Sequence, residues 1–448
     1  MPKSLVFFTL LACLFLSAVG GAFVTYLEMF PRILKSSDSA GSAVPQDSLS
    51  GALSLLGRNH PALVSSMQKP EFDTAEGVLR YDETRTWDGY TLIATAANNS
   101  SILLIDMDGE TKYQWPVPEE LLQSADPGFG AGELASLSPP TIDAQLVDNG
   151  DLLLAVNTMA ASTNGGGIGR IDRMGHLLWL YQGPVRENFT ITQNGSIYAL
   201  LRVEHTQPWR GLEHIPTPFY DDELLVLDSS GAELQRVSVL EAMQNSPFLY
   251  LLQYADPARN GGELLHTSSV SVLNAQQAAL LPGAAENDVL LSLRQLDVIA
   301  IMDPLTRVIK WAARGSWHLQ SDAYVLDNGN ILVFDSNGDL ANGGTSRVLE
   351  IDPVTLAITW EFPADTGESL LGSDSSGVQR LPNGNTLVAD AGGARILEVT
   401  SAGNIVWEYR LPQTDSVKPG RGRSRVASAR RYSIDAPGFL VNSSEMSP

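Results

Sequence analysis

The side chains best suited to chemistry in this 448-residue chain are six histidines and a single cysteine. The histidines form no HxxxH or HExxH pair and Cys13 has no second cysteine, so the sequence predicts no metal site and no internal disulfide. Imidazoles without a metal can still act as nucleophiles or proton donors near neutral pH. The stretch "DSNGD" (335–339) resembles part of a calcium loop but lacks the other ligands, and we expect a turn there. The histidines are His60, His176, His205, His214, His266 and His318.

Hairpin signals recur along the chain and define the elements that must position these side chains. An Asn-Gly turn between two apolar runs favours a β-hairpin, because Asn and Gly tolerate positive φ. The phrases are "LVDNGDLLLAV" (146–156), "ITQNGSIYALL" (191–201), "LDNGNILVF" (326–334) and "LPNGNTLVA" (381–389).

A second phrase appears six times: an apolar strand, a turn that usually begins with Asp, and a strand that usually ends in Trp. Six four-stranded units predict an all-β fold, a six-bladed β-propeller over residues 83–440. An open sandwich or two small β domains would not need six similar phrases. We expect the tryptophans to pack between neighbouring blades. The copies are "LLIDMDGETKYQW" (103–115), "GRIDRMGHLLW" (169–179), "LLVLDSSGAELQRV" (224–237), "IAIMDPLTRVIKW" (299–311), "LEIDPVTLAITW" (349–360) and "LEVTSAGNIVW" (397–407).

The amino terminus predicts a membrane anchor. Residues 5–26 are 22 consecutive residues without a charge, enough to cross a bilayer as a helix. We therefore assign residues 1–35 to an N-terminal membrane anchor, with a transmembrane helix in the run at 5–26, and residues 36–82 to a stalk. Cleavage after the small residues Ala18 and Gly20, or a lipoprotein signal at "LLAC" (10–13), are the alternatives. The propeller is predicted to lie outside the cytoplasm, in the periplasm if the source is bacterial.

The charge of the chain limits its partners. The formal net charge is −22, and a field of that sign repels nucleic acid and anionic lipid. We expect no nucleic-acid partner, contact with a membrane only through the N-terminal helix, and no particular protein partner. The basic stretch "KPGRGRSRVASARR" (418–431) is interpreted as a solvated tail or an exposed edge strand, with an anion-binding patch as the alternative.

From residue 264 onward the chain resembles the arylsulfotransferase family of six-bladed propellers. The phrases that carry the resemblance are "LLHTSSVSVL" (264–273), "NDVLLSLRQLDVIAIMDPLTRVIKW" (287–311), "SRVLEIDPVTLAITWEF" (346–362) and "SSGVQRLPNGNTLVADAGGARILEVTSAGNIVWEY" (375–409). The resemblance implies transfer of a sulfuryl group between phenols through a sulfated histidine, aided by further histidines and an arginine. Such a transfer needs an in-line nucleophile and positive donors for the equatorial oxygens. It implies no cofactor.

The resemblance assigns catalytic roles to His266 and Arg347. Arg294 matches another recurrent phrase and is assigned to substrate binding, although both arginines can instead pair with carboxylates such as Asp322 or Asp335. His266 can equally be a hydrogen-bonded interior histidine.

The segment "HLQSD" (318–322) departs from the family, which has Gln-His-Asp where this chain has Gln320, Ser321 and Asp322. No histidine follows His318, so the sulfated histidine has no counterpart. Ser321, Asp322 and His318 are assigned to substrate binding. On a strand, however, the odd offset of His318 from Ser321 would point its ring to the opposite face.

The leading hypothesis is a membrane-anchored propeller that binds an aryl sulfate or similar anion in its axial pocket, and the missing family histidines count against turnover by the family route. A binding or scaffold propeller is the alternative from another class. A quinoprotein is a third, since "IDPVTLAITW" and "MDPLTRVIKW" resemble the docking phrase of eight-bladed quinone dehydrogenases, whose Thr-Gly-Lys is missing here.

Overall fold

The computed structural model describes residues 75–96, 101–124, 141–157, 166–339, 344–363, 368–372, 377–412 and 425–436. The chain divides into two units, residues 1–74 and residues 75–448, and the first lies wholly outside the described residues. The predicted anchor and most of the predicted stalk therefore lie outside them too. Among the described helices, none is long and apolar enough to cross a membrane.

The described strands form six antiparallel sheets, which we number as blades 1 to 6. Strand β1 (Gly77–Tyr81) is the outermost strand of blade 6. Blade 1 contains β2 (Gly89–Ala96), β3 (Ile102–Ile105) and β4 (Thr111–Trp115). Blade 2 contains β5 (Thr141–Leu146), β6 (Leu152–Asn157), β7 (Gly166–Ile171) and β8 (Leu177–Gln182). Blade 3 contains β9 (Val185–Ile191), β10 (Ile197–His205), β11 (Phe219–Leu227) and β12 (Glu233–Ser238).

The second half of the molecule repeats this arrangement. Blade 4 contains β13 (Thr267–Val272), β14 (Val289–Leu293), β15 (Val298–Asp303) and β16 (Val308–Arg314). Blade 5 contains β17 (Ser321–Val325), β18 (Ile331–Asp339), β19 (Thr345–Ile351) and β20 (Ile358–Phe362). Blade 6 contains β21 (Gly377–Arg380), β22 (Thr386–Asp390), β23 (Arg395–Val399) and β24 (Ile405–Arg410), and β25 (Arg425–Ser433) completes blade 1. The described connections include α1 (Glu119–Ser124), α2 (Val239–Gln244), α3 (Ala275–Leu280) and 3-10 segments at Asp148–Gly150, Leu249–Tyr254 and Arg294–Leu296.

One edge strand of each blade faces the axis of the molecule. These inner strands are β25, β5, β9, β13, β17 and β21, and each contacts the next in that order, with β21 returning to β25. Six sheets whose edge strands meet in a closed cycle form a six-bladed propeller, so the predicted fold is confirmed. The carboxyl-terminal strand β25 closes the ring by pairing with β2.

The strands are rich in apolar residues because both faces of each blade are buried against neighbouring blades. Every pair of neighbouring blades encloses one hydrophobic cluster. Because successive side chains of a strand point to opposite faces, Val333 packs toward blade 4 while Leu332 packs toward blade 6. Both side chains are fully buried, and each such burial stabilises the fold by about 1.5–3 kcal/mol.

The predicted role of the tryptophans in blade packing is also confirmed. The indole nitrogen of Trp115 donates to the Gly150 carbonyl of blade 2 (3.0 Å), and that of Trp407 donates to the Met107 carbonyl of blade 1 (2.8 Å). Blade 3 has no tryptophan in its phrase, and Gln235 Nε2 there donates to the Pro304 carbonyl of blade 4 (2.6 Å). Each of these bonds joins the fourth strand of one blade, counted from the axis, to a turn of the next blade.

A second set of bonds, the inner-strand bridges, joins the inner strands to one another around the axis. In each bridge a side chain of one inner strand hydrogen-bonds a backbone group of the next. The pairs are Ser428 Oγ with Ala144 N (3.3 Å), Gln145 Nε2 with Phe189 O (2.7 Å), Asn188 Oδ1 with Val270 N (3.1 Å), Ser269 Oγ with Ala323 N (2.9 Å), Asp322 Oδ2 with Val378 N (2.7 Å) and Gln379 Oε1 with Arg431 N (2.7 Å). The six bridges satisfy backbone groups that face away from the sheet hydrogen bonds.

The structure differs from three of the sequence-based expectations about individual segments. Residues 425–431 of the basic stretch are neither a tail nor an exposed edge, because β25 lies against the axis and Arg431 is 1% exposed. Residues 335–339 are the end of β18 and not a turn. Strand β1 lies within residues 36–82, which the sequence assigned to the stalk, because its backbone pairs with β24.

Candidate functional site

The candidate site lies at one end of the ring, which we call the entry end: the end at which the inner strands begin. His266 directly precedes the inner strand β13, and Arg186 is the second residue of the inner strand β9. The second strand of each blade is antiparallel to the first, so Arg294, which follows β14, returns to the same end. Segments distant in sequence therefore converge here.

His266 is the centre of the site. Its backbone has φ of 46°, and its Nε2 atom is buried with no hydrogen-bond partner within the described parts of the chain. Burial, together with the positive charges of Arg186, Arg294 and Arg202, holds the pKa of His266 well below its usual range. The imidazole is therefore neutral at neutral pH and keeps one nitrogen lone pair.

Two of these arginines are held by a shared carboxylate. Glu263 Oε2 accepts from Arg186 Nη2 (2.6 Å), and Glu263 Oε1 accepts from Arg202 Nε (2.5 Å). The guanidinium of Arg202 also lies over the ring of Tyr220, with its central carbon 3.3 Å from the ring centroid. These contacts fix the directions of two positive charges beside His266.

A buried aspartate ties this cluster to the start of β13. Asp222 is 0% exposed and accepts from Arg186 Nε (2.6 Å), from the Thr267 backbone nitrogen (2.6 Å) and from Thr267 Oγ1 (2.8 Å). Because Thr267 follows His266, the Asp222 carboxylate positions the backbone that carries the imidazole.

Arg294 connects His266 with blade 5. Its backbone nitrogen donates to the His266 carbonyl (3.1 Å), while Nη1 donates to the Leu319 carbonyl and to Ser336 Oγ (3.3 Å). Arg294 is 6% exposed, so its charge acts in an environment from which water is largely excluded.

The structure corrects the expectation for His318. Strand β17 begins at Ser321, and Leu319 has φ of 52°, so residues 318 to 320 are not an extended strand and the odd-offset rule does not apply. His318 Nδ1 lies 2.8 Å from Asp297 Oδ1, and its side chain is 52% exposed. The ring is thus held at the entry end. The next residue, Leu319, carries the carbonyl that accepts from Arg294.

Ser321 and Asp322 belong to the inner strand of blade 5. Ser321 is buried at 2% exposure. Asp322 forms one of the inner-strand bridges, to Val378 N, and burial raises its pKa while the charge of Arg430 opposes the rise. The visible function of Asp322 is therefore to join blades 5 and 6.

Arg347 lies on the third strand of blade 5 and not on an inner strand. Its Nε donates to Asp335 Oδ2 (2.9 Å) and its Nη2 to the Ser316 carbonyl (2.5 Å). The same register pair recurs in blade 6, where Arg395 Nε donates to Asp390 Oδ2 (3.0 Å). The pairing with Asp335, which the sequence left open, is present in the structure.

Four of the nine described non-glycine residues with positive φ lie at the entry end of blades 4 and 5. His266 (φ 46°), Asp297 (54°), Leu319 (52°) and Asp322 (47°) all adopt positive φ although none is glycine. Such residues cost about 1–3 kcal/mol each and are found preferentially at functional sites.

Sequence reasoning missed Arg186, Arg202, Asp222, Glu263 and Asp297. The only signal for Arg186 was a charged residue inside the strand "VRENFTI", and Asp297 follows Arg294 in a phrase where the family resemblance assigns a role only to the arginine. Across the described chain, no group of three or more His, Cys, Asp or Glu residues is arranged to hold a metal ion.

The fold and the site define a class: a six-bladed propeller with an arginine-surrounded histidine at one end of its axis. Residues 145–411 match the model of the family described as Arylsulfotransferase (ASST), and the chain belongs to that family. The match spans blades 2 to 6 and includes every site residue named above. Six blades also differ from the eight of the quinone dehydrogenases.

No curated protein matches the chain. Among solved structures, a protein of unknown function from Bacteroides caccae is 14% identical, with 76% of this chain and 98% of that chain covered and a TM-score of 0.48. A streptogramin B lyase is 13% identical, with 78% and 86% covered and a TM-score of 0.40. Virginiamycin B lyase from Staphylococcus aureus is 13% identical, with 77% and 89% covered and a TM-score of 0.38. No argument about function follows from similarities this distant.

Proposed function

We propose that this protein binds an aryl sulfate or a similar organic anion at the entry end of its propeller. The observation that supports the proposal is the buried Nε2 of His266, which has no hydrogen-bond partner among the described residues and lies among the charges of Arg186, Arg202 and Arg294. A sulfate ester carries one negative charge on oxygens that only accept hydrogen bonds, and guanidinium groups match such oxyanions in charge and shape. The neutral imidazole can approach the same anion without adding a charge.

The surrounding contacts favour an organic anion over a small free ion. The ring of Tyr220 lies under Arg202, and an aryl group beside that stacked pair would contact apolar surface while its sulfate meets the arginines. A purely scaffolding propeller would be better served by an axial end without buried charge. Of the charged groups named around His266, three are arginines and two are the carboxylates of Asp222 and Glu263, and this balance of one positive charge favours an anion over that alternative.

Turnover through a sulfated histidine is not part of the proposal. Ser321 stands where the family has a histidine, and no histidine follows His318. Loss of a covalent nucleophile costs orders of magnitude in rate. Binding therefore does not imply the family's double displacement in this chain.

The binding experiment uses the full chain in detergent micelles and 4-nitrophenyl sulfate, with heat measured by titration calorimetry. Arg294→Gln is expected to weaken binding by about tenfold to a hundredfold, the effect of one lost charged hydrogen bond of about 1.5–3 kcal/mol. His266→Ala should weaken it as well. The matched control is His176→Ala, because His176 is exposed in a turn of blade 2 at the opposite end. Absence of heat with the unmodified chain, or equal loss in the control, would overturn the proposal.

We further propose that residues 1–35 anchor the chain in a membrane and that the propeller lies outside the cytoplasm. The uncharged run at residues 5–26 supports this. Alkaline extraction of the membrane fraction should leave the full chain in the pellet, and removal of residues 1–35 should release it. Recovery of the full chain in the soluble fraction would contradict the anchor.

A further inference from the structure

His318 and Asp297 form a histidine–carboxylate pair at the entry end. We propose that His318, oriented by Asp297, accepts the proton of a hydroxyl compound in a direct sulfuryl transfer from an aryl sulfate bound at the His266 site. This inference rests on the proposed anion site. It replaces the family's covalent histidine with a single displacement.

Asp297 orients His318 from a fixed position. Its side chain is 8% exposed, and its Oδ1 accepts from the Leu319 backbone nitrogen (2.9 Å) as well as facing His318 Nδ1 (2.8 Å). Its Oδ2 accepts from Arg314 Nη2 (2.7 Å). A carboxylate paired with an arginine only accepts hydrogen bonds, so the proton of the neutral imidazole lies on Nδ1 and the lone pair lies on Nε2.

The backbone of His318 is held on both sides. Its nitrogen donates to Asp335 Oδ1 (2.8 Å), and its carbonyl accepts from the Asn337 nitrogen (3.2 Å). The side chain is nevertheless half exposed, so the ring is open to a ligand from solvent. A fixed, open ring with a lone pair has the properties of a general base.

Two hydrogen bonds join this pair to the anion site. The carbonyl of Leu319, the residue after His318, accepts from Arg294 Nη1, and the Arg294 backbone nitrogen donates to the His266 carbonyl (3.1 Å). Arg294 therefore connects the segment that carries His318 with the segment that carries His266, and both segments lie at the entry end.

The proposed step balances without a cofactor. His318 Nε2 takes the proton of the hydroxyl, and the freed oxygen forms a bond to the sulfur held by the arginines. The bond between sulfur and the aryl oxygen breaks, and the aryl oxide leaves with the electron pair. The proton on Nε2 then passes to the aryl oxide, so the products are a new sulfate ester and a phenol. With water as the hydroxyl compound, the products are sulfate and a phenol.

A second histidine–aspartate pair provides an internal control. His176 Nδ1 lies 2.9 Å from Asp172 Oδ2, in the turn between the third and fourth strands of blade 2 at the opposite end of the ring. Its side chain is 77% exposed. The two pairs are alike in chemistry and differ in their distance from Arg294, so only the His318 pair should influence the reaction.

The test follows release of 4-nitrophenol from 4-nitrophenyl sulfate by the full chain, with phenol or water as acceptor. His318→Ala should lower kcat by about 10²–10⁴-fold, the usual contribution of a general base, and leave calorimetric binding of 4-nitrophenyl sulfate unchanged. Added imidazole should restore part of the rate, because the half-exposed ring leaves an open space. Asp297→Asn should lower kcat while preserving binding, and His176→Ala should change neither. If the alanine variant does not fold, His318→Gln replaces it in the same measurements, with the same expected loss of kcat.

The kinetic pattern decides between single and double displacement. Initial rates at varied phenol should give intersecting lines, and the intact mass of the protein should show no sulfated form during turnover. Parallel lines, a sulfated histidine, unchanged kcat in the His318 variants, or no turnover despite binding would each overturn this inference and leave the anion site standing. Absence of binding would overturn both.

Discussion

The backbone nitrogen of Arg294 donates a hydrogen bond to the carbonyl oxygen of His266 across 3.1 Å. That bond brings together the end of β14 and the residue before β13, and the Arg294 side chain then reaches the Leu319 carbonyl of blade 5. Arg294 therefore positions the imidazole and also connects two blades at the entry end. Arg294→Gln leaves the backbone bond to His266 in place and removes the guanidinium contacts to Leu319 and Ser336, so it tests the charge, whereas His266→Ala tests the imidazole.

The inner-strand bridge of Asp322 predicts a stability effect. Asp322→Ala leaves the Val378 backbone nitrogen without its acceptor at 2.7 Å, and an unsatisfied buried group costs about 1–3 kcal/mol. Asp322→Asn retains an acceptor oxygen and should cost less. Urea unfolding followed by circular dichroism measures the difference, with Asp327→Ala in an exposed turn as control. Equal midpoints for Asp322→Ala and the control would show that the bridge contributes nothing.

The repeated arginine–aspartate pairs predict that Arg347 is structural. Asp335 and Asp390 are both 0% exposed, so removal of either arginine leaves a buried carboxylate without its partner, which costs about 3–5 kcal/mol. Arg347→Ala and Arg395→Ala should therefore lower the free energy of unfolding by similar amounts. Neither should weaken 4-nitrophenyl sulfate binding in calorimetry at a temperature where both variants are folded. Selective loss of binding in Arg347→Ala would instead support the catalytic role that the family resemblance implied.

The depressed pKa of His266 predicts acid sensitivity. Below about pH 6.5 the unfolded chain protonates this imidazole and the folded chain does not, so the unfolded state binds more protons and stability falls as the pH falls. Between about pH 7.5 and about pH 5.5 the contribution is about 1.4 kcal/mol. His266→Gln removes it, and the difference from the unmodified chain in urea midpoints at the two pH values measures it. His176→Gln, in an exposed turn, should leave that difference unaltered.

For Asp221 we expect a pH dependence of stability opposite in sign to that of His266. Burial, with Asp222 adding its charge, raises the pKa of Asp221 to about 8, so the folded chain holds this proton at pH values where the unfolded chain has lost it. Its contribution to stability is complete below about pH 4 and is lost as the pH rises toward about 8, at about 1.4 kcal/mol per pH unit. Asp221→Asn keeps an acceptor for Leu240 N and cannot ionise. Its unfolding free energy should therefore decline less between about pH 5 and about pH 7, and an identical decline would refute the assignment.

The sequence by itself determined the fold and its count of blades. Asn-Gly turns and the six repeated phrases, five of them with an Asp-led turn, depend on local backbone conformation and on the period of two in a strand, and both can be detected from neighbouring residues. The tryptophans could be assigned to blade packing for the same reason, since they end the same strand of successive repeats. His266 and Arg294 were found because their phrases resemble those of the family.

Only the tertiary structure decided which charges surround His266. Arg186, Arg202 and Glu263 come from blade 3 and the segment before blade 4, and their proximity depends on how the blades close around the axis, which no local pattern encodes. The same closure moved Arg431 from a presumed surface to the interior and turned Asp322 into a bridge between blades. Local hydrogen bonds and side-chain periodicity specify strands, whereas the meeting of distant strands sets the electrostatics of a site.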